Sequence, residues 1–493
     1  MIQKDVIIIG AGGIGCAVAR ELSRYQLNIT VLEKECDVAS GASGRNSAVV
    51  HAGFNNAPGS LMAKLCVEGS TGFEGLCCQR EVPYKKTGKM LVAMDEADLD
   101  ILKRLIAQGE SNGCKGLKLV GRDELEQLAP GTGGIGGMCS PETAIFDPFT
   151  YCIALAENAL HNGVEFKFNS EVVAIEGSGE NSGKNGHNPR FQVRTAAGDE
   201  YACDYLINCA GLGSDRISEM AGVGGYQIYP CRGEYFILDK VADKLLDMPV
   251  YPAPRKGEGG LGVHLTPTIA GNVIIGPSAE YIGERDDLSC TAEVMEELLG
   301  QAKALLPKVD RKYIIGSYAG IRPKLAPPEE GGYQDFVIRE EEQRPGLINL
   351  IGIESPGLTA SVPIARMVAG IIAHSRALKE KDDFDPIRKG RIRFRDLTVE
   401  EQAKLIEEDP EYGEIICRCQ KVTKHEIREA IENPFGVKSI SAIKYRAWAT
   451  TGRCNGGYCL TRIVDMLVNE YGMDPEDITY RSEGSELFSG KVK

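Results

Sequence analysis

The chain has 493 residues, which at roughly 150 per domain is enough for about three domains. Its 43% hydrophobic and 26% charged residues, with 58 glycines against 23 prolines, exclude collagen, a long coiled coil and wholesale disorder. Seventy acidic against 56 basic residues leave a net charge of −14, a field that repels phosphate backbones and argues against a nucleic-acid partner.

No apolar run reaches the roughly 18 residues that cross a bilayer. The N-terminus enters Asp5–Ile9 without a basic flank or cleavage site. The expectation is a cytoplasmic protein with no transmembrane segment, peripheral to a membrane only through a partner. Sixteen cysteines without a secretory signal suit reduced thiols and metal ligation better than a disulfide framework.

Asp5–Ile9 reads as a β-branched strand. It runs into Gly10-Ala-Gly12-Gly-Ile-Gly15 and then into a helix over Cys16–Leu22. Glycines there let the backbone approach a pyrophosphate, and the helix N-terminus supplies free N–H groups and partial positive charge. A second strand, Asn28–Leu32, ends at Glu33, about twenty residues on, where a carboxylate accepts hydrogen bonds from a ribose. The small-residue loop Ser40–Ser47, containing Ser43, Arg45 and Asn46, suits an extended nucleotide cofactor and leads to His51.

Further along, Tyr205–Gly213 is an apolar strand entering a glycine turn at Ala210-Gly211. Residues 177–189, rich in Gly, Ser and Asn, read as a mobile hairpin tip without chemistry. Leu347–Ile353 is another buried strand. Glu354–Ser361, with Gly357, Leu358 and Thr359, leads into a helix expected to carry Pro363 in its first turn. Beyond Arg376 the chain turns charged, and Arg391-Ile-Arg-Phe-Arg395 reads as a solvated edge strand. Thr398–Glu401 and Thr423–Glu426 have capping-box spacing, so each opens a helix.

Cys417-Arg-Cys419 and Cys454-x4-Cys459 lie 34 residues apart, two tight pairs in one short segment. Four thiolates fit tetrahedral zinc or an iron–sulfur cluster equally well on ligand chemistry alone. The other cysteines read as small buried hydrophobes, and the adjacent pair Cys77-Cys78 is given no role.

The glycine turn with Glu33, the loop Gly41–Asn46 followed by His51, the Tyr205–Gly213 stretch and the Glu354–Ser361 stretch together resemble the FAD-dependent oxidoreductases of the D-amino-acid-oxidase superfamily. The likeness is strongest to anaerobic glycerol-3-phosphate dehydrogenases and L-2-hydroxyglutarate oxidases. It implies that the nucleotide is FAD, held by Gly10, Gly12, Gly15, Glu33, Ser43, Arg45, Asn46, Ala210, Gly211, Gly357, Leu358 and Thr359. The cysteine spacing resembles the bacterioferritin-associated-ferredoxin-like [2Fe–2S] domain, with Cys417, Cys419, Cys454 and Cys459 as ligands.

The implied fold is α/β: a Rossmann-like FAD-binding domain (1–80, 145–225, 335–375) with an interleaved α+β substrate domain (81–144, 226–334). A linker (376–412), a small helical [2Fe–2S] domain (413–475) and a tail (476–493) follow.

A flavin beside an alcohol takes the carbinol hydride while a base removes the hydroxyl proton. Of the six histidines, His161, His187, His374 and His425 fall on helix ends, the insertion or the cysteine segment, which leaves His51 and His264. Ala319-Gly-Ile-Arg322-Pro resembles the superfamily stretch that aims an arginine at the substrate anion. Lys324 either adds charge there or faces solvent. The expected substrate is a small anionic alcohol.

Architecture points to glycerol 3-phosphate, oxidised at C2 to dihydroxyacetone phosphate. Ser355–Ala360 lacks the lysine usual in those dehydrogenases, and with His51-Ala-Gly-Phe it looks more like the L-2-hydroxyglutarate enzymes. A third reading is an electron-transfer subunit with an unused pocket. Electrons are expected to leave through the cluster to a second flavoprotein or a membrane-associated carrier.

Overall fold

The computed structural model describes residues 1–177, 189–254 and 262–490, without the side chains of 243 and 244. The insertion 178–188, with His187, lies outside the described residues. Two compact units emerge: residues 1–32 with 38–388, and residues 33–37 with 389–493.

The first unit is built on two large sheets. In the first, β1 (Ile2–Ile9) is followed by α1 (Gly13–Leu22) and β2 (Ile29–Leu32). β1 lies between β2 and the later strand Glu200–Asn208, parallel to both, with Ile9 opposite Leu32 on one side and Asn208 on the other. Covered on both edges and both faces, a strand must be apolar throughout, and Val6–Ile9 are all buried. Leu347–Ile351 adds a further parallel strand beside Glu200–Asn208.

Within the same unit, α2 (Leu61–Gln79) precedes β3 (Lys89–Ala93), β4 (Glu200–Asn208), β5 (Tyr229–Leu238), β6 (Val250–Pro252), β7 (His264–Pro267) and β8 (Val273–Gly276). Then come β9 (Ile314–Lys324), β10 (Leu347–Ile351) and α3 (Gly357–Ser375). Strands β5, β8, β7, β6 and β3 lie side by side in the second sheet, and β9 runs antiparallel along the other edge of β5 with Arg322 opposite Cys231.

By length and composition alone α3 would be apolar enough to span a membrane, although Arg366 interrupts its apolar residues. It packs against α1 and α2, with Ala360, Ile364, Ala365, Val368 and Ile372 buried, as a core helix does. It begins at Gly357, so Pro363 lies in its second turn and not in the first. Proline has no N–H to offer the Thr359 carbonyl. Gly69 of α2 fills that gap: a Cβ there would lie 2.0 Å from the Thr359 oxygen.

In the second unit, α4 (Val399–Glu408) and α5 (Lys424–Ile431) both start at complete capping boxes, at Thr398–Glu401 and Thr423–Glu426. α6 (Ile440–Ala447) and α7 (Cys459–Asn469) follow. Ile416, Ile427, Ile443, Ile463 and Leu467 form its core, and Ile478 from the stretch expected as a tail is buried among them. Arg391–Arg395 is not an edge strand: it is coil entering a single 3-10 turn, with Arg393 and Arg395 over the Trp448 ring at 4.7 and 5.8 Å. Side-chain stacking displaces the alternation that the sequence suggested.

Candidate active site and cysteine centre

The turn after β1 has no room for a side chain at Gly10 or Gly15. A Cβ on Gly15 would lie 1.9 Å from the Gly10 oxygen, and one on Gly10 2.6 Å from the Cys209 oxygen at the end of β4. Cys209 and Ala210 thus abut this turn. α1 has Gly12 at its N-cap, without a side-chain cap there and with no acid in its first turn, so its N-terminus presents partial positive charge suited to an anion. The Gly13 N–H donates to Ser43 Oγ at 2.9 Å, tying the small-residue loop to the turn. Glu33 directly follows β2 and accepts from the Glu35 N–H at 2.9 Å.

A cavity of about 950 Å³ opens beside this turn, near the upper end of ligand-site volumes. Ser43, Arg45, Asn46, His51, His264, Arg322, Gly357, Leu358 and Thr359 line it together with Tyr251, Tyr333 and Glu354. Gly10, Gly12, Gly15, Glu33, Ala210 and Gly211 do not line it. Backbone free of Cβ atoms, an uncapped helix N-terminus and a cavity continuing past Ser43 fit an extended dinucleotide such as FAD.

β9 organises the cavity wall. Arg45 Nη1 donates to the Ala319 carbonyl at 3.2 Å, and Tyr318 donates to the Asn46 carbonyl at 2.9 Å. Gly320 lets the loop sit there, since a Cβ would meet the Arg45 oxygen at 2.2 Å. On the same strand, Arg322 Nη2 donates to the Ser278 carbonyl at 3.1 Å, lying over Gly233 where a Cβ would come within 2.7 Å.

His51 sits at the start of α3. Its N–H donates to Thr359 Oγ1 at 3.1 Å and its Nε2 lies 3.2 Å from Ser355 Oγ. Burial, then the charges of Lys89 and His264, push its imidazole well below the ordinary value. α3 itself begins at the cavity without a side-chain cap, at Gly357.

His264, 3% exposed, stacks on Tyr251 with ring centroids 3.8 Å apart. Its Nδ1 lies 3.2 Å from the Gly262 carbonyl, which only accepts, so Nδ1 carries the proton and Nε2 is left as an acceptor. That Nε2 has no hydrogen-bond partner among the described residues. Burial, against the Gly262 bond and with Lys89 and Arg322 nearby, lowers His264 to about 3.

Lys324 does not face solvent. Fully buried, its Nζ lies 3.1 and 3.0 Å from the two carboxylate oxygens of Glu354 and donates to the Gly332 carbonyl at 2.7 Å. Burial nonetheless raises the Glu354 carboxyl, Lys324 offsetting only part of the cost. Alternation along a strand sends residues 322 and 324 to one side, a signal available in the sequence. Nothing there marked Glu354, Tyr251 or Tyr333.

Lys89, the first residue of β3, is also fully buried, its Nζ between the rings of Phe54 and Tyr251 at 4.6 and 4.3 Å and without a hydrogen-bond partner among the described residues. Burial holds it down to about 7. Against an unfolded value of about 10.4, the unfolded chain gains a proton that the folded chain refuses as pH falls from about 10.4 to 7. That stability is present at high pH and fully lost below 7. Lys89→Met is therefore expected to stabilise the protein by roughly 3 kcal/mol at pH 7, with the gain in melting temperature vanishing towards pH 10.

In the second unit, Cys417 Sγ lies 4.0 Å from Cys419 Sγ, and Cys419 Sγ 3.7 Å from Cys454 Sγ. Cys459 hydrogen-bonds with Cys417, whose thiol lowers it to about 7. Backbone N–H groups of Gln420 and Thr450 reach Cys417, and those of Gly456 and Tyr458 reach Cys454. Gly452 makes room, since a Cβ would lie 2.4 Å from Cys419 Sγ. Four converging sulfurs receiving N–H dipoles fit a [2Fe–2S] cluster.

Fold and sites define a flavoprotein oxidoreductase with a second, four-cysteine redox centre. The chain belongs to the FAD dependent oxidoreductase (DAO) family, whose profile matches residues 5–371, and residues 415–469 match the BFD-like [2Fe–2S] binding domain. It is 36% identical, over 99% of each chain, to glycerol 3-phosphate dehydrogenase of Caloramator mitchellensis. It is 32% identical to mitochondrial L-2-hydroxyglutarate dehydrogenase of Arabidopsis thaliana, over 74% of this chain and 83% of that one. FAD-bound L-α-glycerophosphate oxidase of Mycoplasma pneumoniae superposes with a TM-score of 0.72 at 26% identity, covering 80% of this chain and all of that one. The protein is an FAD-dependent oxidoreductase of CH–OH or amino-acid type donors with a [2Fe–2S]-binding domain.

Proposed function

We propose that this chain oxidises the C2 hydroxyl of a small anionic alcohol, glycerol 3-phosphate, and passes the electrons through its cluster to a partner protein. The observation that carries this reading is the single cavity holding Arg322, His51, His264 and the start of α3. The 36% identity to the Caloramator dehydrogenase, extending over both units, supports the substrate.

Arg322 offers two parallel donors to the phosphate and orients C2. His264 Nε2 takes the hydroxyl proton, since it has no hydrogen-bond partner among the described residues while the His51 Nε2 lies against Ser355. The α3 N-terminus, uncapped at Gly357, favours negative charge at that end of the cavity, and neutral His51 lies beside it. FAD, when bound, accepts the hydride.

Because His264 stays neutral down to about pH 3, substrate oxidation should show no loss of base between pH 8 and about 5. His264→Gln should slow flavin reduction by about a hundredfold or more, whereas loss of an ordinary structural histidine would leave it nearly unchanged. Arg322→Lys should raise KM about ten- to a hundredfold, because an ammonium cannot make the bidentate contact. An unchanged KM would place the anion elsewhere.

A second reading, L-2-hydroxyglutarate, is favoured by the lysine-free Ser355–Ala360 stretch beside His51 and by the Arabidopsis relative. The test is anaerobic addition of glycerol 3-phosphate, L-2-hydroxyglutarate, lactate and amino acids in turn. Bleaching of the flavin by glycerol 3-phosphate alone supports the first reading, and bleaching by L-2-hydroxyglutarate alone replaces it. A flavin that none bleaches supports an electron-transfer subunit.

A further inference from the structure

The two segments that carry the cluster cysteines are electrostatically unlike the rest of the chain. Residues 415–425 and 433–464 contain none of the 70 acidic residues and eight basic ones, in a protein of net charge −14. Two of the eight are internally neutralised: Arg446 is buried against Asp37, and Lys424 reaches Glu411 and Glu470 at 3.4 and 2.9 Å. Of the others, Arg418, Lys421, Arg453 and Arg462 stand within three residues of a cluster cysteine.

Cys417 and Cys459 are fully buried, whereas Cys419 and Cys454 are exposed, so one edge of the centre faces outward. Arg418, Lys421 and Arg453, all exposed, are neighbours of those two outer cysteines. Arg418 and Arg462 lay their guanidinium groups over the Tyr458 ring at 4.3 and 5.4 Å, which fixes both charges beside the segment that carries Cys454 and Cys459; Arg462 is half-buried and its Nη1 also donates to the Ile415 carbonyl at 3.1 Å. Arg393 lies over Trp448 at 4.7 Å, whereas Arg395, over the same ring, is paired with Asp396 at 3.3 Å.

We infer that this collar is the docking surface for an acidic one-electron carrier protein, which takes electrons at the Cys419–Cys454 edge. The inference rests on the cluster reading above and adds the charge of the partner. Anionic lipid or nucleic acid would meet the same charges, but neither accepts an electron from an exposed sulfur edge. Neutralising the cluster's own negative charge does not require exposed residues, because backbone N–H groups already serve the buried and exposed sulfurs alike. Opposite charge on the partner raises the encounter rate and makes it strongly salt-dependent.

The experiment uses protein whose FAD, iron and acid-labile sulfide have been measured; absence of iron at this stage would refute the cluster reading and not the collar. Binding is followed by calorimetry with an oxidised plant-type ferredoxin of strongly negative charge, with cytochrome c as the basic probe, and with phosphatidylglycerol vesicles. The ferredoxin should bind, weakening about tenfold or more between about 20 and about 200 mM salt, and should outcompete cytochrome c. Lys421→Asn with Arg453→Gln should weaken it by about tenfold at low salt with the cluster's electron-spin-resonance line shape intact.

If that double variant loses iron, Arg462→Glu on α7, whose guanidinium lies over the Tyr458 ring at 5.4 Å, serves in its place with the same expectation. Equal or tighter binding of cytochrome c, salt-independent ferredoxin binding, or binding only to vesicles would overturn the proposal. A variant that shifts the cluster potential but leaves ferredoxin affinity unchanged would do so as well.

Discussion

Gly15→Ala should give protein that is purified without FAD. The added Cβ would be placed 1.9 Å from the Gly10 carbonyl oxygen, and both atoms belong to backbone that the β1–α1 connection fixes. Neither side has a flexible end that moves away, so the first turn of α1 must shift, and with it the N–H groups that face the pyrophosphate. The expected cost is several kcal/mol of stability as well as the loss of flavin absorbance. Gly12→Ala is the control: its Cβ would meet only the Ser43 hydroxyl, at 3.3 Å, and FAD should be retained with weakened affinity. Full FAD occupancy in Gly15→Ala would place the cofactor away from this turn.

Cys454→Ser should remove iron and acid-labile sulfide while leaving FAD at one per chain. Cys454 is the informative choice because it is exposed, so the substitution leaves no core cavity, whereas Cys417 and Cys459 are fully buried and their loss would mix ligand and packing effects. Elemental analysis of the unmodified protein tests the same centre from the other side: iron with sulfide is expected, and zinc alone would contradict it.

Much of this was readable along the chain because the residues involved obey local rules. The strand, glycine turn, helix and acid of residues 5–33 form one contiguous unit, and the two cysteine pairs stand out by spacing alone. Capping boxes at Thr398 and Thr423 show as a hydroxyl and a carboxylate three residues apart. What was hidden depends on burial. Nothing in Thr87-Gly-Lys89 says that the lysine ends between two aromatic rings, and Glu354 is unremarkable until Lys324 arrives from a strand thirty residues earlier. The basic stretch Arg391–Arg395 misled because its alternation came from stacking on Trp448 and not from a sheet edge. Pro363 suggests a later start for α3 than the one observed at Gly357, because a proline is expected in a first turn and here sits in the second, where Gly69 of α2 packs against the carbonyl that the proline leaves without its N–H.

The central claim is a relay from an alcohol in the cavity, through FAD, to the cysteine centre. Its most direct measurement is rapid mixing with glycerol 3-phosphate without oxygen, following flavin absorbance and the reduced-cluster electron-spin-resonance signal in the same samples. The relay predicts that the flavin bleaches first and that the cluster signal then grows, with little peroxide formed when oxygen is the sole acceptor. A flavin that is reduced while the cluster stays oxidised, with rapid peroxide formation by both the full chain and a chain lacking residues 413–493, would mark a self-contained oxidase and contradict the relay.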